Sequence, residues 1–447
     1  MTTTTSLQDA GRGVLASVLA LRGTRATREA PLIIEHREAL YYMLCLASEL
    51  EHGIMCQYLY AAFSLKQSVD EGLTAVQLET VDRWRTAISH VATQEMLHLA
   101  LVQNLLSSIG GAPHLTRPNL PPPPGRYPPT VSLVLLPFGE AALRHFMYLE
   151  RPEGMSLDDT LLSAAVARAV PALEIGAIVP QLQDFATIGH LYRSIEEGIR
   201  NLADKYGEQR LFCGPPRAQA TQAQFGWKEL VTITDCASAQ AAIDTIIEQG
   251  EGPRGNWQSA HFGQFVNILD EYFALWQSDP EFEPARPVMS ANVRVHERAL
   301  DVPLIRDTIT ARCTDLFNVG YEVLLLVLQR YFAHTTETDA QLGVLVDIAL
   351  GLMFEVIKPL GQLVTRLPVG PEYPGRTAGP SFELFYESDC VLPHQRAAWY
   401  VLEERLRDAM AFGERIRADA PHLSAVLAPV SAALNKFADS LGDGQAQ

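Results

Sequence analysis

The chain has 447 residues, 47% hydrophobic and 19% charged, with a formal net charge of −17 at pH 7. This composition excludes a disordered or fibrous chain, and the length allows two or three domains around a sizeable core. The acidic balance argues against nucleic acid as a partner and disfavours anionic membrane surfaces, because both need clustered Lys and Arg.

The first thirty residues read as a weak helix and a basic linker, and 1–34 is taken as an N-terminal extension. The opening MTTTTSLQDAGRG has no basic run leading into an apolar segment, so no secretory signal is expected. An amphipathic pattern then runs from about 35 to 66, and a second from about 75 to 108, where Gly110 and Gly111 supply a helix stop. TRPNLPPPPGRYPPT follows and cannot be helix or sheet interior, because proline lacks the N–H donor. Residues 131–180 read as short helical pieces broken by prolines. A third clear helix is expected over about 184–206, then a strand-like ELVTITD, a helix near 238–249, a glycine loop and a helix near 258–277. Two helices, a long crossover and two more helices is the connectivity of ferritin-like bundles, placed here at 35–284. Beyond 285 an extended connection leads to long apolar helices near 309–334, 340–366 and 394–416, a helical companion domain at 285–447. The fold class is mostly α.

No stretch reaches the ~18 uninterrupted apolar residues of a membrane span. Cys45, Cys56, Cys213, Cys236, Cys313 and Cys390 are scattered without a CxxC pair, which reads as reduced thiols. A soluble cytoplasmic protein is expected, with a small-molecule substrate; a homo-oligomer is allowed.

The chemistry is concentrated in VATQEMLHLAL, where Glu95 and His98 sit within the apolar stripe of Ile88, Val91, Ala92, Leu99, Val102 and Leu105. Exposed ExxH pairs arise by chance, but buried ionisable groups need a partner or a metal. On the first helix Glu51 shares a face with Leu44, Ala47, Ile54 and Tyr58, so a phenol stands two turns from a carboxylate. Tyr58 is the candidate catalytic residue, placed to tune the centre or shuttle electrons. Ferritin-like dimetal sites take one Glu from each of two helices and Glu-x-x-His from the other two; such ligands suit iron or manganese. The third helix offers His190 and Glu197, with Glu196 the exposed alternative. The fourth segment lacks a regular ExxH and spreads Glu248, Glu251 and His261 across a helix end, a glycine loop and the next helix. There Gly250, Gly252, Pro253 and Gly255 would have to break the helix for Glu251 and His261 to reach one metal. GEGPRG matches GxGxxG, but a helix rather than a strand precedes it, so the dinucleotide reading is rejected. TAGPSFELFYESD, with Gly379 and Pro380, reads as a fixed turn near a cavity mouth or a plain structural turn.

Taken together, ELEHGIMCQYLYA, ATQEMLHL, TIGHLY, IIEQGEG…SAHF and TAGPSFE resemble the ferritin-like proteins related to the violacein-pathway iminophenylpyruvate dimer synthase, from about 36 to 410. The resemblance implies a non-haem iron enzyme of secondary metabolism acting on an amino-acid-derived substrate. It carries over Glu51, Glu95 and His98 as ligands, with Glu251 and His261 from the last segment. The expected cofactor is iron, two ions, with manganese as the other candidate, working with O2 or peroxide. Imine coupling of the dimer-synthase type and catalytically silent iron binding are the competing readings.

Overall fold

A computed structural model of the protein describes residues 29–155, 157, 183–252, 257–296, 302–334, 336–385 and 392–445. The N-terminal helix expected before residue 29, the pieces expected across 158–182, and Pro253 and Gly255 lie outside these residues. The main helices are α1 Arg37–Ser64, α2 Ala75–Ser108, α3 Glu140–Leu149, α4 Ile188–Tyr206 and α5 Cys236–Gly250. They continue with α6 His261–Ser278, α7 Thr308–Phe332, α8 Asp339–Val364, α9 Gln395–Asp419 and α10 Ser424–Gln445.

Local chemistry sets these boundaries. Thr74 and Gln77 form a reciprocal capping box at the start of α2, and Asp235 with Ser238 does the same for α5. The proline-rich crossover after α2 is neither helix nor strand, as expected. Among the described residues only isolated β-bridges occur. The strand-like ELVTITD instead forms no strand: it pairs with no other segment, and the Gln219 side chain satisfies both backbone groups of Ile233. α3 is one of the short helical pieces expected between prolines, whereas α10 was not expected.

α1 and α2 form the main pair, α3 packs on α6, and α4 and α5 brace the bundle against α1 and α2. This corrects the helix order: the bundle face that matters is built by α1, α2, α3 and α6, with α4 in support. The extended connection is tied to both halves, for Arg286 donates to Glu71, to the Phe63 carbonyl and to Thr365. Gly379 of the TAGPSFE turn packs so close to the Tyr60 ring that a Cβ would come within 2.3 Å of it.

In the companion half α7 packs on α8 and α9, and α9 on α10. α8 is continuous but wound as a π-helix over Leu352–Ile357. Against expectation it is long and apolar enough to cross a membrane, with a mean hydropathy of 1.9 in its best window; half of that window is buried inside the protein, as in a core helix. Arg330 and Glu337 form a fully buried fork, at 2.6 and 2.7 Å, and Arg330 also donates to the Leu392 carbonyl at 2.9 Å. Removing one member would leave the other charge buried and uncompensated. Glu337→Ala should therefore lower unfolding stability by about 3–5 kcal/mol in a denaturant titration; an unchanged midpoint would contradict this role.

Candidate metal centre

Five side chains converge inside the bundle. Glu51 comes from α1, Glu95 and His98 from α2, Glu150 from the residue that closes α3, and His261 from the first turn of α6. Ligand atoms of Glu51, Glu95 and His98 lie within 4.8 Å of one another, as do those of Glu95, Glu150 and His261. Glu95 belongs to both groups. All five are buried.

Helix geometry delivers this set. One turn separates Glu95 from His98, so both point inward from one stripe. On α3 the buried face of Leu143, Phe146 and Met147 continues into Glu150, and Pro152 keeps the helix from running on. His98 Nδ1 lies 3.0 Å from Glu95 Oε2 and 3.5 Å from Glu51 Oε2. His261 Nδ1 lies 2.8 Å from Glu95 Oε1 and 3.7 Å from Glu150 Oε2. Both imidazoles turn Nδ1 toward the carboxylates and donate Nε2–H outward to glutamine amides, His98 to Gln249 at 2.9 Å and His261 to Gln94 at 3.2 Å. Such outer partners fix the tautomer that leaves Nδ1 free to ligate.

The residues fit a metal pair. Glu95 Oε1 and His261 Nδ1 are buried and lack hydrogen-bond geometry with any partner, despite their closeness. Among the described residues no Lys or Arg pairs with Glu51, Glu95 or Glu150, and three buried carboxylates need a cation. Two phenols complete the terminal carboxylates: Tyr192 on α4 donates to Glu51 at 2.5 Å, and Tyr58 donates to Glu150. Tyr58 thus serves the carboxylate opposite the one beside which the helix pattern placed it.

In the metal-free cluster, burial and the charge of Glu95 push the Glu51 carboxyl up to about 8. Burial opposes charge on His261, but Glu95 and Glu150 outweigh it and raise its pKa to about 9. Burial would likewise raise the pKa of Glu95, yet the two histidines hold it well below the usual carboxylate range.

Three expected residues stand elsewhere. His190 donates Nε2–H to the Ala30 carbonyl at 2.8 Å and accepts the Ala186 N–H at 3.2 Å, so it ties two loops. Glu197 is half-buried, 3.7 Å from Arg200. Glu251 accepts from Arg193 at 2.8 Å and from the Glu153 N–H at 2.6 Å, and Gly189 leaves room for its carboxylate. It therefore anchors the loop after Glu150. No fold-back of the chain is needed, because the second carboxylate comes from α3. Glu150 was missed because the proline-broken segment masks a ten-residue helix; the available signal was an acidic residue at i+3 and i+4 from Met147 and Phe146.

A helical bundle with this shared-glutamate, two-histidine set offers carboxylate and imidazole groups that could hold metal ions. The ferritin-like family model matches residues 44–270, just over half the chain. The chain belongs to the ferritin-like family. It is 27% identical over 393 residues to a dichlorochromopyrrolate synthase of Lentzea aerocolonigenes, covering 80% of this chain and 37% of that one. It is 26% identical over 377 residues to a 2-imino-3-(indol-3-yl)propanoate dimerase of Chromobacterium violaceum, covering 78% and 34%. The chain thus spans about a third of the length of these relatives, which match the relation read from its motifs. A ferritin-like protein of Caulobacter vibrioides, of known crystal structure, aligns with a TM-score of 0.44 at 18% identity, over 71% of this chain and 96% of that one.

Glu95→Ala should abolish bound iron, since the shared carboxylate belongs to both groups, and Glu51→Ala should abolish the two-ion stoichiometry by removing a ligand and its charge. Glu150→Ala should keep one ion, while His190→Ala and Glu197→Ala keep both, all read by metal analysis of purified protein. Full iron in Glu95→Ala would remove the centre. Glu51 and His261 hold protons at pH 7 when metal-free, so metal must displace them. Fe(II) or Mn(II) titration in weak buffer should release protons, and affinity should fall as pH drops; pH-independent uptake would contradict this.

Proposed function

We propose that the chain is an iron-dependent oxidoreductase of secondary metabolism, with two ions held by Glu51, Glu95, His98, Glu150 and His261. Its substrate is a small amino-acid-derived molecule, and O2 or peroxide is the oxidant. The observation that carries this reading is the sharing of Glu95 between two ligand groups, with Glu95 Oε1 and His261 Nδ1 buried without hydrogen-bond partners. A bound metal pair would exchange electrons with the oxidant and polarise it. Tyr58 and Tyr192 hold the terminal carboxylates from opposite sides, Gln94 and Gln249 orient the imidazoles, and the apolar rings of Phe146 and Phe265 around Tyr58 exclude water. Manganese satisfies the same ligand chemistry.

A second reading is favoured by the names of both relatives, a synthase and an imine dimerase. Two α-imino acids, as enamine tautomers, would be joined by one C–C bond with loss of two electrons and two protons. Hydrogen peroxide would accept these and become two waters. Catalytically silent iron binding is the remaining alternative.

The experiment loads the full chain anaerobically with Fe(II) and adds O2 or peroxide. An aromatic α-imino acid is generated in the same vessel by an amino-acid oxidase. An oxidised monomer supports the first reading, and a product of doubled mass supports the second. Either product should drop by at least about a hundredfold in Glu95→Ala, in line with loss of a main electrostatic contributor. Iron uptake with no consumption of oxidant would leave iron binding alone. Tyr58→Phe keeps the ring but not the donor, so it should retain iron and slow turnover about tenfold.

A further inference from the structure

A cleft of about 560 Å³ separates the bundle from the companion half, with α1 and α2 on one wall and α7 and α8 on the other. None of the five metal-centre side chains lines it. Met96, the neighbour of Glu95, does, so α2 shows the cleft a different face.

The cleft is long and its ends differ. Along α2 it runs from Arg85 to Gln103, about 27 Å at 1.5 Å per residue. Arg85 and Lys358 mark the end near Ser64. There Trp84 stacks on Phe138, whose N–H donates to Ser64 at 2.8 Å, and Gly361 abuts the Phe63 ring. Phe225, Trp227 and Phe332 mark the other end, which Asn104 fixes by donating to the Ala220 and Val231 carbonyls. Between them the walls are largely apolar, with Met55, Leu59, Leu99, Leu324, Leu328 and Met353, and Thr86, Ser89 and Thr93 line the α2 side.

Charge is one-sided. The chain carries −17, yet among the described residues no Asp or Glu lines the cleft. Arg85 Nη2 lies 2.7 Å from Asp82, but its Nη1 is buried with no partner. Lys358 has no ion pair among the described residues. The π-helical turn of α8 presents Met353, Phe354 and Ile357 to the same space, and Phe354 is 64% exposed. Such turns are frequent at functional sites. The apolar side of α8 that is not buried thus faces this cleft and needs a cover.

We propose that the cleft binds one molecule of a long-chain carboxylate, with its chain along the apolar walls and its head at Arg85 and Lys358. The volume falls in the range of pockets that take one small molecule, and the length of the cleft suits an extended chain. A short aromatic acid would fill one end and leave the rest of the apolar wall wet.

The test uses the full chain and measures binding of hexadecanoate below its micelle concentration, by calorimetry and by displacement of a fluorescent fatty acid. One saturable site is expected, tightening severalfold for each two carbons added from decanoate upward. Lys358→Ala and Arg85→Ala should each weaken it about fivefold, the weight of a part-exposed ion pair. Ala100→Phe should block it, and Leu328→Phe serves as a second blocking variant if Ala100→Phe fails to fold by circular dichroism. Glu51→Ala should bind hexadecanoate normally, which separates this site from the metal centre. Absence of saturable binding, tighter binding of indole-3-propionate than of hexadecanoate, or binding to neutral phosphatidylcholine vesicles without binding of the free acid would each overturn the proposal.

Discussion

The structure turns on one constraint: Glu51, Glu95 and Glu150 are buried together with no Lys or Arg among the described residues to balance them. Desolvating three carboxylates without counter-charge is costly. The bundle meets that cost only in part through protein groups. Two histidines lean on Glu95, and two phenols donate to the outer carboxylates. What is left over, a carboxylate oxygen and an imidazole nitrogen without partners, is the chemistry of a cation site.

Much of the surrounding framework follows from that arrangement. α4 and α5 are held against the bundle while contributing no residue to the five, yet each sends in one side chain that holds one of them, Tyr192 on Glu51 and Gln249 on His98. The loop after Glu150 is pinned by Glu251 and Arg193, which also bridge α4 to the end of α5. Residues that look like ligands by type are thus used as scaffold. His190 ties the N-terminal strap at Ala30 in the same way.

The companion half plays a different part. It contributes none of the five residues, but its α7 and α8 lie along α1 and α2 and enclose the apolar cleft with them. The buried Arg330–Glu337 fork and the close approach of Gly361 to Phe63 hold these helices in place. α8 therefore serves two environments at once, a packed core on one side and a cleft on the other. That explains a hydropathy high enough to resemble a membrane span.

Helical periodicity was strong enough in the sequence to outline eight of the long helices to within a few residues, and to put Glu51, Glu95 and His98 on inward faces. Those positions depend on contacts three, four and seven residues apart, which sequence spacing encodes directly. His261 was legible as a histidine near the start of a helix. Glu150 was not, because it ends a short helix inside a proline-rich stretch and meets the others only through packing of α3 on α6. Conversely Glu251, His190 and Glu197 carry the right chemistry at plausible spacings. Whether such a group faces a metal, an arginine or solvent depends on which helices become neighbours. That choice is made by non-local packing, and residue spacing within one helix holds no information about it.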